Sequence, residues 1–192
     1  MLSTLLALDA DLLIWIHTHL HNAFLDWLIP LLRSKWTWLP LYVFLAAFVL
    51  INYGKRGGLW ILFFVFAIIV SDTISTRLIK DQVERLRPCH TQGVVEHLHM
   101  LVSCGGQYGF CSSHAANHFT MAAFIVFTLG RSFRKIRWPL WIWAALIAFA
   151  QVYVGVHYPL DVVVGAGLGL LIGWVIAWYY RRISMDWSVL AA

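Results

Sequence analysis

Lys80 is followed, after six intervening residues, by Arg87-Pro88; Ser112-Ser113-His114 lies further on, and His157 precedes Asp161 by four positions. Phosphoester cleavage asks for a nucleophile, a proton donor and cations to hold phosphate oxygens, and two His, one Lys and one Arg supply all three. Arg can grip a phosphate through two parallel N–H bonds, whereas Lys acts as a point charge. Backbone N–H groups at a helix N-terminus are unpaired and partly positive, so Ser112, Ser113 and His114 would form a phosphate cradle if they open a helix. Ser112 also suits a plain N-cap. A carboxylate at Asp161 can fix the His157 tautomer and leave the other ring nitrogen free to attack phosphorus. His118, four residues beyond His114, shares its helix face and reads as a structural histidine.

Each cluster has a bland counterpart. Arg77, Asp81, Glu84 and Arg85 surround Lys80 and Arg87, as at an ordinary solvated helix end. Asp161 also suits the first turn of a helix on dipole grounds alone. The setting favours chemistry, because the chain is 61% hydrophobic, only 12% charged, and carries 11 Trp in 192 residues. Its mean hydropathy is +0.75. Soluble domains carry about 25% charged residues, so this is an integral membrane protein. Ionisable groups that persist beside membrane spans are functional suspects.

The elements that must position these residues are apolar runs. Trp36 to Asn52, Gly57 to Ile79, Ala115 to Gly130, Trp138 to Val156 and Pro159 to Tyr180 read as five spans. Pro159 fits the first turn of the last helix, where a missing N–H costs nothing. Leu8 to Leu32 mixes Asp9, Asp11, Asp26, His17, His19 and His21 with Leu, Ile, Phe and Trp. It reads as two amphipathic helices in the interface, broken near His21-Asn22. A sixth crossing is the alternative. The expected fold is an all-α polytopic bundle: residues 1–35 as interfacial helices, residues 36–192 as the membrane-embedded domain. No removable signal peptide is visible. Gly165, Gly169 and Gly173 at four-residue spacing point to close helix packing within a monomer, with a weak dimer face as the alternative.

Lys55 and Arg56, the run Arg131 to Arg137, and Arg181-Arg182 fall on one side if the spans alternate, and that side is cytoplasmic by the positive-inside rule. Lys80 to Phe110 and the 156–160 turn then face outward. The net charge of +5 thus sets orientation and implies no nucleic-acid partner. Cys89, Cys104 and Cys111 share the outward side, where a disulfide between Cys89 and Cys104 or between Cys89 and Cys111 can form. The His17/His19/His21 and His97/His99 runs lack neighbouring carboxylates or Cys at ligand spacing, so no metal and no cofactor is expected.

Together the three clusters resemble the type 2 phosphatidic acid phosphatase superfamily, which includes the vanadium haloperoxidases. Its pattern runs Lys-x6-Arg-Pro, Pro-Ser-Gly-His and Ser-Arg-x5-His-x3-Asp. Here the first element is complete; the second reads Cys111-Ser112-Ser113-His114; the third reads Ala150-Gln151, then His157 and Asp161. The resemblance implies that His157 attacks phosphorus, oriented by Asp161, and that His114 protonates the leaving oxygen. Lys80, Arg87, Ser112, Ser113 and Gln151 would hold the phosphate. Where the family has Arg, Gln151 offers only a neutral donor, a deficit that Arg77 or Arg85 could fill. The implied substrate is an amphiphilic lipid phosphate or pyrophosphate, of the polyprenyl pyrophosphate, lipid A phosphate or phosphatidylglycerol phosphate class. The implied location is a bacterial inner membrane with its active site outside. A lipid-phosphate binder or transporter with a decayed site is the alternative that Gln151 motivates.

Overall fold

The computed structural model describes residues 2–185. Its described residues form an all-α bundle whose only bridge between extended segments joins Leu86 to Tyr108. Helices α1 (Leu2–His19) and α2 (Ala23–Arg33) precede α3 (Lys35–Thr73), which continues through a π-helical turn, Ile74–Lys80, into the short α4 (Asp81–Val83). A long loop leads to α5 (Ser113–Phe127), and α6 (Arg137–Tyr153) and α7 (Pro159–Met185) follow.

Among the described residues three helical runs are long and apolar enough to cross a membrane: Lys35–Val83, Arg134–Tyr153 and Pro159–Ser184. The first counts 49 residues. At a rise of ~1.5 Å each it would reach about 74 Å if straight, more than twice a ~30 Å hydrocarbon core. It is not straight. Gly54 adopts φ 54° and ψ −127°, a backbone conformation that side chains disfavour. Any Cβ on Gly57 would overlap the Val49 carbonyl. The chain therefore doubles back at Gly54, and the arms 35–53 and 55–73 match the two runs expected from sequence.

Helix α5 is the centre of the bundle. Ala115, Ala116, Ala122, Ala123 and Phe124 are fully buried. Small residues there let neighbouring backbones approach closely, which is how helices associate without a hydrophobic drive. The glycine row of α7 meets this face. Cβ atoms at Gly165, Gly169 and Gly173 would run into the carbonyls of Ser112, Ala116 and Thr120. Thr120 Oγ1 donates to the Gly169 carbonyl at 3.1 Å. The row serves packing within the chain, as expected. Phe44, Leu62, Phe66, Ile69, Val163 and Leu171 are exposed outside, an apolar girdle suited to lipid.

The amino-terminal helices break where the sequence suggests. Asn22 caps α2 with its side-chain oxygen, accepting from Leu25 N at 3.0 Å. Leu13 and Ile16 of α1 pack into a core with Val152, Tyr158 and Val162. The pair thus covers the end of the bundle where α6 gives way to α7.

Candidate active site

All three sequence clusters meet at that end. Lys80 closes the π-helical turn, and its Nζ donates to Ser113 Oγ at 3.4 Å. A π-helical turn shifts side-chain register, a common device at functional sites. Ser112 is buried and caps α5, accepting from Ala115 N at 3.4 Å. Its own N–H donates to the Asp161 carbonyl at 3.0 Å, which ties the start of α5 to the start of α7. The first-turn amides of Ser113 and His114 have no intrahelical partner. Of the two roles weighed for Ser112, the structure shows the N-cap, and its own amide is taken by the Asp161 carbonyl.

The 84–112 loop holds Arg87 rigidly. Arg87 N donates to the Gln107 carbonyl at 3.0 Å and Gly109 N to the Arg85 carbonyl at 2.8 Å. The guanidinium is clamped by carbonyls: Nε to Tyr108 at 3.1 Å and Nη1 to Cys104 at 2.9 Å. Cys89 is bonded to Cys104, so of the two pairings open from sequence this one forms, and Cys111 is a buried free thiol. The crosslink anchors the strand segment whose carbonyl grips Arg87.

Asp161 is fully buried. Its Oδ2 accepts from Tyr158 N at 3.1 Å and faces His157 Nδ1 at 3.5 Å. The His157 nitrogen has no hydrogen bond within the described residues. The carboxylate and imidazole are in register yet not closed, as is common before substrate binds. Burial lowers the His157 pKa to about 4, the charges of Arg87 and Lys80 act in the same direction, and Asp161 opposes them. His157 is therefore a neutral imidazole at physiological pH, the form a nucleophile needs.

Asp161 Oδ1 belongs to Arg85, whose Nη1 lies 2.7 Å away. Arg85 Nη2 reaches Asp9 of α1 at 2.7 Å, and the guanidinium lies 4.0 Å from the centre of the Tyr158 ring. Asp9 Oδ1 also accepts from Leu160 N at 2.8 Å. Arg85 is thus committed to two carboxylates, and Arg77 is exposed. Neither stands in for the family's arginine as the sequence suggested.

The side chain beside Gln151 is Arg33, from the end of α2. Its Nε donates to Gln151 Oε1 at 2.9 Å. Gln151 is itself buried, and its Nε2 donates to the Ile147 carbonyl at 3.1 Å. The charges of Arg33 and Arg87 both act on His114, as does His157. Asp161 and Arg33 act on Arg87. Lys80, Arg87, Arg33, His114, His157 and Asp161 therefore form one electrostatic cluster. His118 hydrogen-bonds through Nδ1 to the His114 carbonyl at 2.8 Å and packs edge-on against Trp143, matching the structural role expected for it.

Sequence reasoning missed Arg33 beside Gln151 and the pairing of Arg85 with Asp9 and Asp161. Asp9 carried a signal, as an acid inside an apolar segment. The expectation that the His17/His19/His21 and His97/His99 runs lack a carboxylate neighbour also needs correcting. Folding brings Asp26 to 2.8 Å from His21 and 4.0 Å from His99. The two imidazoles stack at 4.7 Å and Tyr153 donates to Asp26 at 2.7 Å. Stacked rings aim their nitrogens side by side, and Asp26 is occupied by His21 and Tyr153.

Residues 59–185 match the model of the PAP2 superfamily. The chain is 29% identical to a lipid A 4'-phosphatase of Porphyromonas gingivalis over 85% of its own length and 69% of the relative's. It is likewise 29% identical to a lipid A 4'-phosphatase of Bacteroides thetaiotaomicron, over 96% of the chain and 82% of the relative. Its fold superposes with a TM-score of 0.67 on a crystal structure of a transmembrane PAP2-type phosphatidylglycerolphosphate phosphatase from Bacillus subtilis, at 22% identity, covering 94% of this chain and 88% of that one.

Proposed function

The chain belongs to the PAP2 superfamily, and from that premise we propose that this membrane lipid phosphatase removes the phosphate of a lipid A-class substrate through a phosphohistidine on His157. The observation that carries the proposal is the meeting of Lys80, Arg87, Ser112 and Ser113 with His114 and the His157–Asp161 pair. The extended likeness to two lipid A 4'-phosphatases supports the substrate class.

In the first step neutral His157 Nε2 forms a bond to phosphorus while the bond to the lipid oxygen breaks. The electron pair leaves on that oxygen, and His114, which takes up a proton as the phosphate anion binds beside it, delivers that proton to the oxygen. Asp161 stabilises the positive charge that grows on His157, its Oδ2 already facing Nδ1. Lys80, Arg87 and the amides of Ser113 and His114 receive the three phosphoryl oxygens, where charge develops. In the second step His114 takes a proton from water, the hydroxide attacks phosphorus, and the P–N bond to His157 breaks. Nucleophile, acid and cations are all side chains, so the route calls on no metal.

Five crossings fit this reading, with α3 contributing two arms and α1 and α2 lying at the outer interface. Lys55, Arg56, Arg131, Arg134, Lys135, Arg137, Arg181 and Arg182 then mark the cytoplasmic side, and the site opens at headgroup depth outside the inner membrane. The binder or transporter reading drew its motive from Gln151, and the Arg33–Gln151 bond weakens that motive.

The test is phosphate release by the purified protein in detergent, from lipid A bisphosphate, a polyprenyl pyrophosphate and phosphatidylglycerol phosphate, with and without excess EDTA. Release from lipid A that persists in EDTA is expected. Release from only another lipid overturns the substrate, chelator-sensitive release the metal-free route, and no release at all the activity.

A further inference from the structure

Gln151 sits at the root of the nucleophile. Its carbonyl accepts from both Val156 N and His157 N at 3.2 Å, so the turn that presents His157 is built on this residue. The resemblance places a cationic Arg at this position, whereas the Gln151 amide has no charge. Its two ends are engaged by Arg33 Nε at 2.9 Å and by the Ile147 carbonyl at 3.1 Å.

Arg33 is placed by firm contacts. The end of α2 is held by the start of α3: Thr37 Oγ1 donates to the Leu31 carbonyl at 2.6 Å and Trp38 Nε1 to the Leu32 carbonyl at 2.7 Å. These bonds use carbonyls that a helix end leaves open and fix the residue that follows. The bond to Gln151 uses Nε alone, which leaves both terminal nitrogens of the guanidinium for another acceptor. No carboxylate among the described residues forms an ion pair with Arg33. Its charge is felt at Arg87 and at His114, so the head group lies near both. Arg33 and Arg87 are both half-buried and the charge of one is felt at the other, so a phosphate dianion set against both would turn that repulsion into a two-sided grip.

We infer that Arg33 supplies the guanidinium that binds the substrate's phosphate, with Gln151 as its positioning residue. The cation has moved from the third motif to the amino-terminal helix pair while its head group stays in the site. The inference rests on the phosphatase reading given above. It makes the first 35 residues part of the catalytic apparatus and not a separable interfacial anchor.

Two measurements test it on the full-length protein in detergent: kcat/KM for lipid A phosphate release, and orthovanadate binding by calorimetry. Arg33→Met should lower kcat/KM on the order of 10²-fold and weaken vanadate binding in parallel. Arg33→Lys, which keeps the charge and loses the fork, should recover part of both. Gln151→Glu keeps the shape of Gln151 but puts an anion against Arg33, so it should weaken vanadate binding more than Arg33→Lys does. The decisive variant is Arg33→Met with Gln151→Arg, which restores a guanidinium from the other element and should regain at least tenfold over Arg33→Met. Should Arg33→Met fail to fold, the Arg33→Lys and Gln151→Glu comparison carries the test. Wild-type affinity for vanadate and wild-type kcat/KM in Arg33→Met, or in both of those variants, would overturn the inference. If the wild-type protein binds vanadate yet releases no phosphate from any lipid, the activity fails alone, and loss of binding in Arg33→Met still supports the role of Arg33. A wild-type protein that binds no vanadate overturns both.

Discussion

Asp161 Oδ1 lies 2.7 Å from Arg85 Nη1, while the same carboxylate presents Oδ2 to His157 Nδ1 at 3.5 Å. Asp161 thus links His157, the proposed nucleophile, to a cation whose two terminal nitrogens are both held by carboxylates. Arg85 in turn reaches Asp9 at 2.7 Å, so α1, the 84–112 loop and α7 converge on one guanidinium. Removing the cation from a buried pair is far more damaging than the pair is stabilising, because uncompensated charges are left behind. Arg85→Met strands two carboxylates and should destabilise the fold by about 3 kcal/mol, read as a lowered Tm in detergent. In the folded fraction kcat should fall more than KM rises, since orientation of His157 is lost and phosphate contacts stay. An unchanged Tm together with a purely KM effect would show that Arg85 binds substrate.

The two histidines should separate cleanly in kinetics. Asp161 lies against His157 only, so His157→Ala should abolish turnover and any acid-labile phosphoenzyme. His114→Ala should impair release from a lipid phosphate far more than from an activated aryl phosphate, whose leaving oxygen needs no proton. Asp161→Asn should slow turnover while vanadate still binds. Phosphate trapped on His114, or a fully active His157→Ala, would refute these roles.

The depressed pKa of His157 has a sign that can be checked. Between about 4 in the folded protein and about 6.5 in an unfolded chain, the unfolded state holds a proton that the folded state does not. This contribution to stability is present above pH 6.5 and is lost as pH falls toward 4. Histidine-labelled protein in micelles, compared with His157→Gln, should show the His157 ring neutral at pH 6 and titrating near 4 by NMR. A midpoint at or above 6.5 would mean that the site is wet and that Asp161 dominates. Tm should drop from pH 7 to pH 5, and less steeply in His157→Gln.

Much of this arrangement was legible in the chain because its signals are local. Lys80, Arg87, His114, His157 and Asp161 each sit at the end of an apolar run, and fixed spacing within three segments needs no tertiary knowledge. The break between the first two runs was visible as a linker with two cations, Lys55 and Arg56, though the turn at Gly54 was not singled out. What sequence could not carry was pairing across long separations. Arg33 and Gln151 stand 118 residues apart, Arg85 and Asp161 76, and nothing in the spacing of either pair announces the other. Arg85, four residues from Asp81 and next to Glu84, looked like part of a solvated helix end. Its actual partners, Asp9 and Asp161, became evident only once α1 packed over the start of α7.

Orientation in the membrane is the remaining prediction, and it follows from where the cations fall. The hairpin at Gly54 carries Lys55 and Arg56, the α5–α6 turn carries Arg131, Arg134 and Lys135, Arg137 opens α6, and Arg181-Arg182 lie in the last turns of α7. A cavity at this end is lined by Arg56, Arg131, Arg181 and Arg182. Short loops rich in Lys and Arg stay in the cytoplasm, so the opposite end, with Lys80, His114 and His157, should face outward. Gln92 in the site-end loop and Ser132 in the α5–α6 turn are both exposed. Cys89 and Cys104 are bonded to each other, so replacing Cys111 by Ser leaves a background with no free thiol. On it, Gln92→Cys in intact spheroplasts should react with a membrane-impermeant maleimide, and Ser132→Cys should react only after the membrane is permeabilised. The reverse pattern would put the catalytic face in the cytoplasm and remove outer-leaflet lipid phosphates from the substrates within its reach.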